Sequence, residues 1–191
     1  AHAVNKGIPP VLASLPDNAA GRTCPLHYRY APSSFARPAD HVCEVAYVVG
    51  GLYGNEQALD AVLTLYERET GPKRLIFNGD FNWFNVDNAG FRTINDRVLR
   101  HDAILGNVEA ELDLNSNDAG CGCAYPEQVD QGTVDRSNQI HAALKRTAAR
   151  HPDVLAYLAA LPMIARYRVG DARVGIVHGD AESLAGWRFD V

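Results

Sequence analysis

Residues 74–80, RLIFNGD, indicate the fold of this chain more strongly than any other stretch. The unbroken apolar run at its centre is typical of a strand buried in a parallel sheet, and glycine followed by aspartate is typical of a turn at the end of a strand. Ligands of open α/β sheets bind outside the carboxyl ends of the strands. The stretch therefore predicts a buried strand that delivers Asp80 to the edge where ligands bind.

Segments on both sides of this strand extend the pattern. An apolar run at residues 45–49, VAYVV, predicts a strand covered on both faces, and Asn55 caps a predicted helix that Gly71-Pro72 ends. A further helix over residues 91–98 precedes a strand at residues 103–105. Strand–helix–strand–helix–strand is the pattern of a parallel sheet with right-handed crossovers.

The second half of the sequence predicts two helices and a hairpin. Apolar residues from Ile140 to Ala148 recur at helical spacing, with Asp135 or Ser137 as the predicted cap, and Pro152 opens the next helix. Apolar runs on both sides of Gly170-Asp171 then predict a β-hairpin.

The composition favours a globular protein. The chain has 191 residues, 47% of them hydrophobic, which suits one domain with a sizeable core. The net charge of −5 argues against a nucleic-acid partner, which requires a clustered basic surface. We find neither an apolar window of membrane-spanning length nor a signal-peptide pattern, so we expect a cytoplasmic location and no membrane partner.

The prolines divide the chain into two parts. Six of the ten lie in residues 1–43, which predicts an irregular arm that packs on a domain formed by residues 44–191. The chain stops at Val191, soon after the hairpin, where a new strand edge would be left uncovered. We therefore expect that the domain continues downstream of Val191.

Three polar residues each follow a predicted strand: Asp80, Asn107 and His178. Asp and Asn after glycine are also common in ordinary turns, and a lone histidine is more often structural than catalytic. Because the three side chains should project at the same edge, we expect them to converge. A carboxylate, an amide oxygen and an imidazole can together bind a metal ion.

The order of these loops resembles that of the calcineurin-like metallophosphoesterases. The family pattern runs D-x-H, G-D-x-x-D, G-N-H-[DE], H and G-H-x-H, and the best match is Gly79-Asp80 followed by Gly106-Asn107 with Glu109. The resemblance implies a four-layer αββα sandwich, incomplete at the carboxyl terminus of this chain. It also implies metal ions at the strand ends that activate water and hold the phosphoryl oxygens of a substrate.

Carried over residue by residue, the resemblance makes Asp80 the bridging carboxylate, Asn107 the amide ligand and His178 a histidine ligand. Gly51-Leu52-Tyr53 stands where D-x-H is expected, Trp83 replaces the second aspartate and Val108 replaces the histidine near the leaving group. The closing G-H-x-H is absent from the sequence. One divalent ion, Mn, Fe or Zn, is therefore expected rather than two.

Cys121 and Cys123 are weaker candidates for metal binding. Thiolates bind zinc and iron strongly, but the Cys-Gly-Cys spacing does not match a zinc ribbon. Structural thiols or a disulfide are the alternative interpretation.

These features favour a divergent metal-dependent phosphoesterase that hydrolyses a phosphate monoester or diester of a small substrate. The main alternative is a non-catalytic protein of the same fold that binds a nucleotide or a protein partner. A redox or structural-metal protein centred on Cys121 and Cys123 is the third hypothesis.

Overall fold

The computed structural model describes residues 20–113 and 119–189. The described part contains six strands: β1 (His41–Cys43), β2 (Val45–Val49), β3 (Lys73–Asn78), β4 (Asp102–Ile104), β5 (Ile164–Val169) and β6 (Ala172–Val177). Its α-helices are α1 (Glu56–Arg68), α2 (Asn88–Val98), α3 (Asn107–Ala110), α4 (Gln131–Ala148) and α5 (Pro152–Ala159). Two short 3₁₀ helices, Leu26–Tyr28 and Pro32–Ala36, precede β1.

The first sheet has the strand order β2-β3-β4 and is parallel throughout. Helix α1 connects β2 to β3, and α2 connects β3 to β4, so both connections are helical crossovers. The side chain of Asn55 accepts the backbone N–H of Ala58 and begins α1 as predicted. This arrangement confirms the parallel α/β unit, with β3 as the central strand.

The second sheet has the order β1-β5-β6. Strands β5 and β6 form the predicted antiparallel hairpin around Gly170-Asp171, and β1 pairs in parallel with β5. The sequence did not predict β1, which lies within the proline-rich arm and is only three residues long.

The core is divided between the two faces of β3. Leu75 and Phe77 belong to a cluster with the helices, whereas Ile76 belongs to a cluster that includes Tyr167 and Ile176 of the second sheet. This alternation follows from the two-residue period of a strand. The described residues therefore form a mixed α/β fold in which the helices cover one face of the parallel sheet and the second sheet covers the other.

Two local predictions are wrong. Strand β2 is only partly covered on its two faces: Tyr47 and Val49 pack against one core cluster and Ala46 against another, but Val48 is 49% exposed. Helix α4 begins at Gln131, and its cap is Asp130, whose side chain accepts the backbone N–H of Thr133. Val134 is the only large apolar residue between Gln131 and Ile140, so the apolar periodicity predicted a later start at Asp135 or Ser137.

Tyr28, in the predicted proline-rich arm, contacts residues far along the chain. Tyr28 is fully buried and its hydroxyl donates to the carboxylate of Glu111, while its backbone carbonyl accepts the N–H of Leu184. Residues 1–19 of the predicted arm lie outside the described residues. Within the described residues, no helix combines the length and the apolar character needed to cross a membrane.

Candidate functional site

The structure brings together the three polar residues that follow the strands. The Nε2 atom of His178, after β6, lies 3.0 Å from Oδ1 of Asn107 and 3.3 Å from Oδ2 of Asp80. Asp80 follows β3, and Asn107 begins α3 after a two-residue connection from β4. The two sheets thus deliver one carboxylate, one amide and one imidazole to a common point, and their roles there remain predictions.

The turn that carries Asp80 is held in an unusual conformation. Both Gly79 and Asp80 have positive φ values, 74° and 53°, and this region is costly for a residue with a side chain, although less so for Asp. The backbone N–H of Asp80 donates to Oε2 of Glu109 at 2.8 Å, and that of Asn82 donates to Oε1 at 3.0 Å. The carboxylate of Glu109 therefore fixes the turn by accepting two of its N–H groups.

The Asp80 carboxylate is itself oriented by the neighbouring strand end. Its Oδ1 atom accepts the backbone N–H of Val108 at 3.0 Å, which leaves Oδ2 facing His178. This contact requires the two strand ends to approach closely. A Cβ atom on Gly79 would lie 2.6 Å from the Cα of Gly106, and one on Gly106 would lie 2.3 Å from the backbone nitrogen of Asp80.

Asn107 is oriented by the cysteine loop. Its Nδ2 group donates to the carbonyl oxygen of Cys121 at 2.9 Å and is 3.6 Å from Sγ of Cys123. The amide nitrogen therefore faces the loop, and Oδ1 faces His178. Cys121 and Cys123 are joined by a disulfide. Neither presents a thiolate in this state, so their predicted metal role would require reduction.

His178 is held by the backbone of β3. Its Nδ1 atom lies 2.7 Å from the carbonyl oxygen of Asn78, which can only accept, so Nδ1 carries a proton. Burial lowers the pKa of His178, but the charge and hydrogen bond of Asp80 outweigh burial and raise it to about 9. Without a bound cation, Nε2 is thus also protonated and forms an ion pair with Asp80.

Glu109 is a supporting residue that the sequence identified only as a retained motif position. It is buried, and burial together with the nearby charge of Asp80 raises its pKa to about 7. Its acceptors are occupied by the N–H groups of Asp80 and Asn82. Only its position in the motif, two residues after Asn107, marked Glu109 in the sequence. Its contacts with backbone groups 27 to 29 residues away could not be predicted.

Other polar residues close in sequence to the predicted site have structural partners of their own. Asp87 accepts the N–H of Gly90 and caps α2, and Asp180 accepts the N–H groups of Glu182 and Ser183. Asn82 exchanges hydrogen bonds with the buried side chain of Asn95. None of these contacts directs a side-chain oxygen toward His178.

A pocket of about 350 Å³ opens above Asp80, Asn107 and His178. Tyr53, Trp83 and Val108, which occupy three of the positions where the family motif has metal ligands or a histidine, line this pocket. Within residues 20–113 and 119–189, no group of three or more His, Cys, Asp or Glu residues could hold a metal ion. The candidate site therefore depends on the amide oxygen of Asn107 as its third donor.

The two distances around Nε2 of His178 are compatible with a shared cation. Metal–ligand distances of about 2.0 to 2.2 Å place neighbouring ligands roughly 3 Å apart, in the range observed around Nε2 of His178. A metal-binding histidine generally donates its other ring N–H to a carbonyl or carboxylate, as His178 does to Asn78. Protonation of Nε2 in the free protein means that a cation would replace this proton.

The sequence matches no protein family, and no curated protein is significantly similar to it.

Proposed function

We propose that this chain is a divergent metal-dependent phosphoesterase that hydrolyses a phosphate monoester or diester with one divalent ion, Mn, Fe or Zn. The observation that supports the proposal most is the convergence of Asp80, Asn107 and His178 within 3.3 Å on the floor of an open pocket. The order of these residues along the chain, each after a strand, resembles that of the calcineurin-like metallophosphoesterases, and this resemblance also supports the proposal. We further propose that the two stacked sheets belong to a four-layer αββα sandwich.

The proposed chemistry assigns a distinct task to each side chain. A bound cation would stabilise negative charge on the phosphoryl oxygens and favour ionisation of the attacking water. Asp80 supplies the negative charge that favours cation binding, and its second oxygen is held by Val108. Asn107 contributes a neutral oxygen, and His178 contributes Nε2 once that atom has lost its proton.

Supporting contacts keep these atoms in place before a substrate arrives. Glu109 fixes the backbone of Asp80, the carbonyl of Cys121 fixes the amide of Asn107, and the carbonyl of Asn78 fixes the ring of His178. Each partner contacts the side of the residue that faces away from the common point. Such preorganisation lowers the reorganisation required during the reaction.

The test is turnover of a panel of phosphate monoesters and diesters in the presence of Mn²⁺, Fe²⁺ or Zn²⁺. We expect slow hydrolysis that Asp80→Asn abolishes, because Asn keeps the shape and tolerates the positive φ of this position but lacks the charge. Asp87→Asn is the matched control, because Asn caps a helix as well as Asp does. This variant should retain full activity.

Activity that survives Asp80→Asn would contradict the proposal. Absence of turnover across the panel, combined with ligand binding detected by thermal shift, would instead support the non-catalytic alternative.

A further inference from the structure

The mouth of the pocket is rich in aromatic residues. Five of them line it, and we call this group the aromatic rim: Tyr53, Trp83, Tyr125, Trp187 and Phe189. Tyr53 is 47% exposed, Trp187 is 41% exposed and Phe189 is 63% exposed. Both tryptophans of the chain belong to the rim. Burial of aromatic surface is favourable, so aromatic side chains that stay exposed beside a polar pocket floor are a feature of ligand-binding pockets.

The rim is held in place by specific contacts. The indole N–H of Trp187 donates to the carbonyl oxygen of Cys123 at 3.0 Å, and its ring lies 5.8 Å from that of Tyr125. The hydroxyl of Tyr125 is hydrogen-bonded to Ser137. On the opposite wall, the ring of Tyr53 packs perpendicular to that of Phe84. These contacts restrict the rings of Tyr53, Tyr125 and Trp187.

Backbone strain is concentrated around the same pocket. Among the described residues, the non-glycine positions with positive φ are Tyr53, Asp80, Phe84 and Ala124. Tyr53 and Asp80 line the pocket, and each of the other two adjoins a lining residue in sequence. For bulky residues this conformation is costly, and such strain tends to be retained at functional sites.

The charges of the lining limit the class of ligand. Apart from Asp80 and His178, the described lining residues carry no carboxyl, imidazole, ammonium or guanidinium group. A ligand with several phosphates would find no cationic partner among these described wall residues. The remaining proton donors of the described lining include the weakly acidic hydroxyls of Tyr53 and Tyr125. An aryl oxide is a weaker base than an alkoxide, so its departure depends less on protonation by such groups.

We propose that the pocket selects a phosphate ester whose leaving group is an aromatic ring, with the ring against the aromatic rim and the phosphoryl group above Asp80, Asn107 and His178. The position of the phosphoryl group in this inference rests on the proposed function. The ring preference rests on the rim itself. Hydrolysis of such an ester breaks the P–O bond to the ring, adds water oxygen to phosphorus and releases the phenol.

The test compares phenylphosphonate with methylphosphonate, which cannot be hydrolysed and differ in the ring alone. Binding is followed by tryptophan fluorescence, with and without Zn²⁺. Phenylphosphonate should bind at least about tenfold more tightly, which is the effect expected of one stacked ring.

Tyr53→Asn removes a ring of the rim while Asn tolerates the positive φ, and it should reduce this preference severalfold. Trp187→Leu, measured by calorimetry, should do the same. Tyr157→Leu is the control, because Tyr157 is 68% exposed on α5, outside the rim, and should leave the preference unchanged.

Equal binding of the two phosphonates, or an equal effect of Tyr157→Leu and Tyr53→Asn, would overturn the inference. A preference found only for thymidine 5′-monophosphate over ribose 5-phosphate would overturn the aryl assignment in favour of a nucleobase. A preference for phenylphosphonate without metal binding or turnover would support ring binding by the aromatic rim and contradict the proposed hydrolysis. The ring preference and the proposed function can therefore fail separately.

Discussion

The carboxylate of Glu109 joins the start of α3 to the turn after β3, because Oε2 accepts the backbone N–H of Asp80 at 2.8 Å. Its other oxygen accepts the N–H of Asn82, so one buried side chain satisfies two N–H groups of the turn. The position of Asp80 in the candidate site thus depends on a residue that does not itself face the pocket.

Glu109→Ala should therefore destabilise the protein and weaken the site. An unpaired buried N–H costs about 1 to 3 kcal/mol, so the loss of both acceptors should lower the free energy of unfolding by at least about 2 kcal/mol. Urea-induced unfolding measures this change. Glu67→Ala, at an exposed position on α1, is the control and should have little effect. A loss no larger than that of the control would show that Glu109 does not hold the turn.

Gly79→Ala should destabilise the protein more than Gly170→Ala. Both glycines have positive φ, which costs an alanine about 1 to 2 kcal/mol. At Gly170 a Cβ atom would meet nothing within 4 Å, whereas at Gly79 it would also collide with Gly106 and His178. Overpacking adds about 1 to 3 kcal/mol at Gly79. Equal effects of the two substitutions on thermal unfolding would contradict the close approach of the strand ends.

Tyr30 should make the protein less stable at alkaline pH. Burial, together with the charge of Asp180, raises the pKa of Tyr30 to about 12, so the unfolded chain loses this proton at a lower pH than the folded one. The stabilising effect is complete below about pH 10 and is lost as the pH rises toward 12. Tyr30→Phe should make the decline of unfolding free energy over this range shallower. Tyr157→Phe should not change it, and identical slopes for all three proteins would contradict the prediction.

The sequence predicted the part of the fold that depends on local periodicity. The apolar run of β3, the capped start of α1 and the Gly170-Asp171 hairpin were all recognisable, because each has a short-range pattern. Strand β1 was not recognisable, since a three-residue strand in a proline-rich segment has no period to detect. Its pairing with β5 depends on a contact more than 120 residues away in sequence.

The candidate site also has features that the sequence predicted and features that it did not. The convergence of Asp80 and Asn107 could be inferred, because parallel strands end at a common edge. His178 was predicted to join them from the order of the strand-end loops, but its position depends on the second sheet, which contains β6. The orienting contacts could not be inferred, because the carbonyls of Asn78 and Cys121 act through the backbone, which every residue type shares. The sequence left Cys121 and Cys123 open between a disulfide and metal binding, since thiol groups can do either and the Cys-Gly-Cys spacing matches no zinc ribbon; the structure has the disulfide.

The most direct test of the central claim is the metal content of the purified protein, measured by elemental analysis after loading with Mn²⁺, Fe²⁺ or Zn²⁺ and removal of excess metal. A single site built on Asp80, Asn107 and His178 predicts about one ion per chain, as expected of three protein donors with an open position. Asp80→Asn should lose this ion, and Asp87→Asn should keep it. Metal content that is unchanged in Asp80→Asn, or absent from the unsubstituted protein with every metal, would contradict the account.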